Sequence, residues 1–513
     1  VSGYLRRLAT TGAAYTAASV VSKLIAVALL PLYTRYLSPA DYGAAEVMFA
    51  AVVSASIVVR FGTIEALLRF YYKDDEDPGA VVATSFAALF WFSTAAALIA
   101  LPFAGQISEA LLDHPAAGLA RISIGGLWVL TMVEYLLTLF RLEERARAYF
   151  VTTILNVLLA IGLTVVLVIG QGEGARGLLL GSYGSGAVVA LALIVVHRRR
   201  LSLWIDGPLL RRMTRFGLPT MPAELSLYLL NFVDRIVIVR SAGLAEAGLY
   251  SLAVKFAQAV NVLVRGFQLA WPPLAYSIRD DGEARRTYAA VVTWFVAGCA
   301  FFVTGMWLFS RWIVRLLAAP QFFDSYEAIG LIATGVTLYA LYMVLVVILG
   351  RTGRTEFNFP ATIAALIANV ALNLALVPSL GIVGAGLALV ASYVVVVALM
   401  YVFTQRLFPV PYEWGRLVRV VLVATALVGL AELLLPTEGF VGLAARVVLW
   451  FAYPVLLLVC GFFTREERGW LARLRHPGEL LTSFRALQAR PAAVDGQLPE
   501  VYEAERMDED SRL

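Results

Sequence analysis

Apolar stretches long enough to cross a bilayer succeed one another along nearly the whole chain, separated by short polar loops. A membrane-crossing helix needs about 20 predominantly apolar residues. On that criterion about fourteen spans are expected, near 11–34, 44–70, 79–104, 120–141, 148–170, 176–197, 216–240, 247–276, 288–310, 326–349, 357–378, 383–404, 414–435 and 440–463. The connections leave no room for a soluble domain inside the bundle. The first apolar run reaches spanning length and no Ala-x-Ala site follows, so a retained helix is expected there rather than a cleaved leader. Beyond Thr464 a basic segment (Arg465 to Arg490) gives way to an acidic, Pro-containing end, which reads as a surface helix followed by disorder. The pattern predicts an all-α polytopic membrane protein.

In a few spans the apolar pattern is broken along one face. Span eight, "YSLAVKFAQAVNVLVRGFQLAWPP" (250–273), carries Lys255, Gln258, Asn261, Arg265 and Gln268. Their spacings of three and four put all five on one broad side of a helix. Span seven carries Glu224, Tyr228, Asn231 and Arg235 in the same manner, with Asp234 beside them. Lys23 lies mid-span in span one, Arg60 in span two with Ser56 and Thr63 on its face, and Glu134 in span four. An ionised side chain at the bilayer centre costs about 2.5–3.5 kcal/mol on the insertion scale. Such stripes are tolerable when they face water in a cavity, and they mark where that cavity should be.

The chain also repeats itself. At a shift of 205 residues "RYLSPADYGAAEV" (35–47) falls on "RSAGLAEAGLYSL" (240–252), matching Arg35 with Arg240, Ala40 with Ala245, Asp41 with Glu246 and Gly43 with Gly248. The same shift puts Gly12 on Gly217, Arg6-Arg7 on Arg211-Arg212 and Arg60 on Arg265. Each half then holds six spans, an even number, so both keep one orientation. This is a parallel repeat about an axis along the membrane normal, with a substrate site expected between the halves. The expected organisation is a six-helix lobe over 1–205, a second over 206–410, an additional helix pair over 411–464, and a cytoplasmic, partly disordered tail over 465–513. The glycine clusters 181–186 and 381–386 read as helix-packing sites rather than nucleotide loops.

Composition agrees with the pattern. Of the 513 residues 60% are hydrophobic and 15% charged, with a mean hydropathy of +0.79; soluble domains average about 25% charged. The net charge of +5 and pI of about 9.1 are explained by orientation rather than by nucleic acid. Arginine is concentrated in alternate loops, "RLEERAR" (141–147), "HRRR…RRMTR" (197–215), "RDDGEARR" (279–286) and "GRTGR" (350–354), while "LSPADYG", "GQGEGARG", "SLGIVGAG" and "PTEG" are poor in it. The positive-inside rule places both termini in the cytoplasm of a cell-membrane protein. "DDED" (74–77) faintly resembles a glycosyltransferase metal motif but reads as a solvated loop. Cys299 and Cys460 sit in apolar runs and read as small buried hydrophobes. His114, His197 and His476 have no metal-ligand spacing, and no P-loop or Ser-His-Asp arrangement is present, so neither a metal site nor a catalytic one is expected.

Only three of the 41 basic residues are lysines, and two of them, Lys23 and Lys255, lie inside spans. Together with Arg60 and Arg265 they would make a cationic cavity that selects anions. The competing reading is structural, with Asp234 neutralising Lys255 and with Glu224 and Glu134 serving proton coupling or helix packing. No cofactor is expected; a coupling ion would be H+ or Na+.

The stretches "LPLYTRYLSPADYG" (30–43), "FGLPTMPAELSLYLLNFVDRIVI" (216–238), "AEAGLYSLAVKFA" (245–257) and "VPSLGIVGAGLALVASY" (377–393) resemble the polysaccharide-biosynthesis, O-antigen-unit (Wzx-type) flippases of the multidrug/oligosaccharidyl-lipid/polysaccharide (MOP) exporter superfamily. The resemblance covers roughly residues 5–465. It implies a V-shaped two-lobed fold that alternates between inward- and outward-open states, and a cationic cavity carried over onto Lys23, Arg60, Lys255 and Arg265. Gln258, Asn261, Gln268, Asn231 and Tyr228 would be its polar lining. The extra helix pair resembles the lipid II flippase, though without matching motifs. The function implied is flipping of an undecaprenyl-pyrophosphate-linked oligosaccharide to the outer leaflet, with no bond made or broken. Membrane lipid and polysaccharide polymerase machinery are the candidate partners, and a monomer is the expected state. Rivals are a multidrug or cation antiporter of the same fold, which would want an acidic cavity, a lipid II flippase, and a polyprenyl-sugar enzyme, which would want a large outer loop or a soluble domain.

Overall fold

A computed structural model describes residues 21, 25, 27–73, 75–230, 232–464 and 467–468. Lys23, Asn231, the arginines at 6 and 7, Gly12 and nearly all of the tail lie outside the described residues. The chain divides into two compact units, Val1–Tyr453 and Pro454–Leu513. Of the second, the description covers the end of the helix Gly439–Val459 and a short turn in which the Thr464 N–H donates to Glu467 Oε2 at 2.8 Å.

The described residues are helical almost throughout and contain no strand. Ten of their helices are long and apolar enough to cross a membrane, and this is a multi-pass membrane protein. One of the ten, Asn358–Leu407, is two crossings, because the chain turns at Gly381 with φ 53° and ψ −132°. That conformation is open to glycine and strained for other residues. The turn divides the helix where the sequence separates spans eleven and twelve. Spans seven and eight fall short of the length criterion because each is broken. Span seven runs as Gly207–Gly217, a 3-10 turn Leu218–Thr220, Met221–Leu229 and Val233–Ala242. Pro219 and Pro222 lack the N–H that a continuous helix would use. Span eight is Leu244–Ala257 followed by Val260–Ser277, and span two is Pro39–Arg60 and Thr63–Phe70, divided at Phe61 and Gly62, both with positive φ. Broken helices at membrane depth survive where protein or a water-filled cavity satisfies the freed backbone groups. Here the breaks coincide with the polar stripes.

The repeat is visible in three dimensions. A Cβ added to Gly43 would fall 2.1 Å from the Leu244 carbonyl oxygen, and one added to Gly248 would fall 2.0 Å from that of Pro39. Pro39 and Leu244 are themselves one repeat length apart. The two contacts are therefore the same contact seen from either half, as a two-fold requires. Spans two and eight cross at this point, backbone against backbone.

Spans thirteen and fourteen, Trp414–Leu434 and Gly439–Val459, are tied to span nine by a buried arginine. Arg446, 1% exposed, pairs with Glu432 at 2.6 Å and donates to the carbonyls of Leu308 (3.3 Å) and Ala431 (3.2 Å). Arg311 meets the other Glu432 oxygen at 3.3 Å, and Trp450 and Tyr453 donate to the Phe301 and Ala297 carbonyls. Of the cysteines, Cys299 is buried as expected, whereas Cys460 is exposed, since it lies just past the last helix.

Candidate functional site: a polar chamber between repeat-related spans

The broken spans surround a cavity of about 650 Å³. Span two contributes Ser56 and Arg60, span four Glu134, span seven Glu224, Tyr228 and Arg235, and span eight Gln258 and Asn261. Tyr339 of span ten and Tyr393 of span twelve complete the polar wall, and Val53, Ile57, Leu130, Leu227, Val254, Ile332, Val336 and Leu389 the apolar one. Of the stripes read from sequence, Glu224, Tyr228 and Arg235 of span seven and Gln258 and Asn261 of span eight face one chamber.

Their charges are arranged differently from the expectation. Arg60 carries two carboxylates, Glu134 Oε1 at 2.6 Å from Nη1 and Glu224 Oε1 at 2.9 Å from Nη2, while its Nε donates to the Ser56 carbonyl at 3.3 Å. No acid lies one turn from Arg60 in sequence; its partners are 74 and 164 residues away. Arg235, not named beforehand as a charge of the site, lines the chamber and donates from Nε to Ser251 Oγ at 3.1 Å. It continues the face of Glu224 and Tyr228, and that spacing was the signal for it. Among the described residues the lining holds two arginines and two glutamates, so it is formally balanced rather than cationic.

The remaining candidates separate. Lys255 pairs with Glu46 of span two at 2.6 Å and is not part of the cavity wall. The pair with Asp234, the competing structural reading, does not form. Asp234 is fully buried and accepts hydrogen bonds from Tyr250 Oη and Asn373 Nδ2, both at 2.7 Å, so its oxygens are engaged elsewhere. Arg265 is exposed and outside the wall, although close enough to act electrostatically on Tyr339. Gln268 is not among the lining residues. Glu46 escaped the sequence reading. Its signal lay in the repeat: Glu46 follows Gly43 by one turn and Lys255 follows Gly248 by two, on helices whose glycines face each other. Within "DDED", Glu76 holds Arg212 and Asp77 accepts from the N–H groups of Gly79 and Ala80. Among the described residues no group of three His, Cys, Asp or Glu is placed to hold a metal ion.

Residues 9–279, more than half of the chain, match the family described as polysaccharide biosynthesis protein. The chain belongs to that family. A curated relative, the succinoglycan biosynthesis transport protein ExoT of Rhizobium meliloti (strain 1021), is 25% identical over 322 residues, 59% of this chain. The match spans about three-fifths (61%) of that relative's length. Among solved structures, the lipid II flippase MurJ in an inward closed conformation gives a TM-score of 0.67 at 12% identity, covering 88% of this chain and 98% of its own. An inward-facing multidrug resistance MATE transporter of the MOP superfamily gives 0.63 at 17% identity over 75% and 95%. A MOP transporter from Pyrococcus furiosus, described as having a binding pocket of reverse polarity, gives 0.56 at 16% over 81% and 95%. At these identities the likeness establishes the MOP fold, and with it the paired-repeat helical architecture of this family member. What the chamber admits is a matter of its lining, in which this chain places Arg60 and Arg235 beside two glutamates.

Proposed function

We propose that this family member is a flippase that carries a polyprenyl-pyrophosphate-linked oligosaccharide from the cytoplasmic to the outer leaflet of the cell membrane by alternating access. The observation that carries the reading is the position of Arg60 and Arg235 on one polar chamber at membrane depth, between spans two and seven, which belong to opposite halves of the repeat. A guanidinium offers phosphate a planar fork of donors, and Tyr228, Gln258 and Asn261 offer neutral hydrogen bonds of the kind sugar hydroxyls exchange. The polyprenyl tail would stay in lipid. The reading draws further support from membership in a polysaccharide biosynthesis family and from the name of the transport protein it resembles. With the arginine-rich loops in the cytoplasm, the Gly43–Gly248 crossing falls on the outer side, so the chamber is closed toward the outside at that point.

Glu134 and Glu224 would favour the rival, export of a cationic drug. Each is bonded to Arg60, however, and Arg235 adds a second positive charge to the wall, so the lining offers a cation no net negative charge. The test is reconstitution in proteoliposomes with a fluorescent polyprenyl-pyrophosphate-linked oligosaccharide. Wild-type protein should raise the fraction of probe open to a membrane-impermeant quencher above the level of empty vesicles, and Arg60→Ala or Arg235→Ala should abolish the increase. Unchanged probe access, together with uptake of a cationic dye, would overturn the reading in favour of the rival.

A further inference from the structure

Spans four and seven converge on Arg60 of span two, and what they bring exceeds what its charge requires. One guanidinium is answered by two carboxylates, at 2.6 and 2.9 Å. A structural pair needs a single counter-ion; a second carboxylate on the same guanidinium adds like-charge repulsion and goes beyond what that one charge requires. Exposure supplies the clue. The Arg60 side chain is 7% exposed and those of Glu134 and Glu224 are 42% and 43% exposed. An entrant therefore meets carboxylate before it meets guanidinium.

We propose that Glu134 and Glu224 are tethered stand-ins for the cargo's phosphates, holding Arg60 while the chamber is empty and giving it up to an incoming pyrophosphate. Carboxylate and phosphate use the same fork of guanidinium donors, so the exchange swaps one set of charge-assisted hydrogen bonds for another. Tethering makes the stand-ins selective. A carboxylate held beside its partner competes at an effective concentration in the millimolar range or above. Dissolved monoanions lose that competition, whereas a group with two phosphates and several oxygens can win it. The exchange also has a mechanical side. Arg60 ends the helix Pro39–Arg60 of the first half, and Glu224 lies in Met221–Leu229 of the second. Displacing Glu224 cuts a tie between the halves, so cargo favours the arrangement in which that tie is open. The proposal rests on the flippase reading and adds to it the residues that set which anions are admitted.

The experiment measures binding of geranyl pyrophosphate and of acetate to the purified full-length protein in zwitterionic nanodiscs, for wild type, Glu134→Gln, Glu224→Gln, the double variant, and the double variant with Arg60→Gln. The double variant should bind geranyl pyrophosphate at least tenfold more tightly than wild type and should discriminate less against acetate. Adding Arg60→Gln should erase the gain. Where that protein does not accumulate, Arg60→Lys takes its place and should lose most of the preference for pyrophosphate, because the charge remains without the fork. Glutamine variants that bind no more tightly than wild type, while the Arg60 substitution still weakens binding, would overturn displacement and leave the cargo reading intact. Absence of binding by both wild type and the double variant, in protein that unfolds cooperatively, would overturn both.

Discussion

Replacing Lys255 by methionine should strand the Glu46 carboxylate where water cannot reach it. The pair spans 2.6 Å, the Glu46 side chain is 8% exposed and that of Lys255 39%. Breaking a fully buried pair from one side costs about 3–5 kcal/mol, because the remaining charge keeps its desolvation penalty and loses its partner. The partial exposure of the lysine lowers this to about 2–3 kcal/mol, since part of the attraction is already screened. Glu46→Gln should cost less, because the charge it leaves, the ammonium, is the more hydrated of the two. The double variant, Glu46→Gln with Lys255→Met, should recover to within about 1 kcal/mol of wild type, as replacing both members of a buried pair is often near neutral. The assay is a double-mutant cycle on reversible unfolding in mixed micelles, with Asp234→Asn combined with Lys255→Met as the control. Asp234 bonds to Tyr250 and Asn373, so that combination should restore nothing. A coupling below about 0.5 kcal/mol between Glu46 and Lys255, or rescue by Asp234→Asn, would refute the assignment, since distant independent sites add to within that margin.

Gly248→Val should separate spans two and eight and lower thermal stability by several degrees, because even its Cβ would lie 2.0 Å from the Pro39 carbonyl oxygen; Gly266→Ala, with nothing within 4 Å of its Cβ, is the neutral control in the same thermal scan. Arg446→Met should leave Glu432, 39% exposed, with Arg311 as its ion-pair partner at 3.3 Å and cost about 1–3 kcal/mol, since solvent screens the carboxylate and a second guanidinium remains, with Glu432→Gln in the same chain recovering part of it, measured by unfolding midpoint. Single cysteines at 172 and 381 should be labelled from outside sealed cells and those at 199 and 285 should not; labelling at 199 would reverse the proposed orientation.

Much of this protein is written in its sequence because a bilayer leaves few options. Backbone groups in lipid must be satisfied within a helix, so apolar length located the ten helices long enough to cross, and the shift aligned Gly43 with Gly248, which the structure brings together where the halves cross. Part of the polar faces of spans seven and eight was legible too, Glu224, Tyr228, Gln258 and Asn261 among them, since a stripe at spacings of three and four has to meet water or protein. Partnership among the charges was not legible. Arg60 takes acids from spans four and seven, Lys255 takes Glu46 rather than Asp234, and Arg265, its repeat counterpart's equal in sequence, stays outside the chamber. An ion pair is decided over a few ångströms by where two helices break and cross. Helical periodicity fixes only the face on which a residue lies. In span two the break at Phe61–Gly62 follows Arg60, whereas in span eight the break at Gln258–Ala259 precedes Arg265, so the repeat-related arginines lie on opposite sides of a break, Arg60 in the chamber wall and Arg265 outside it.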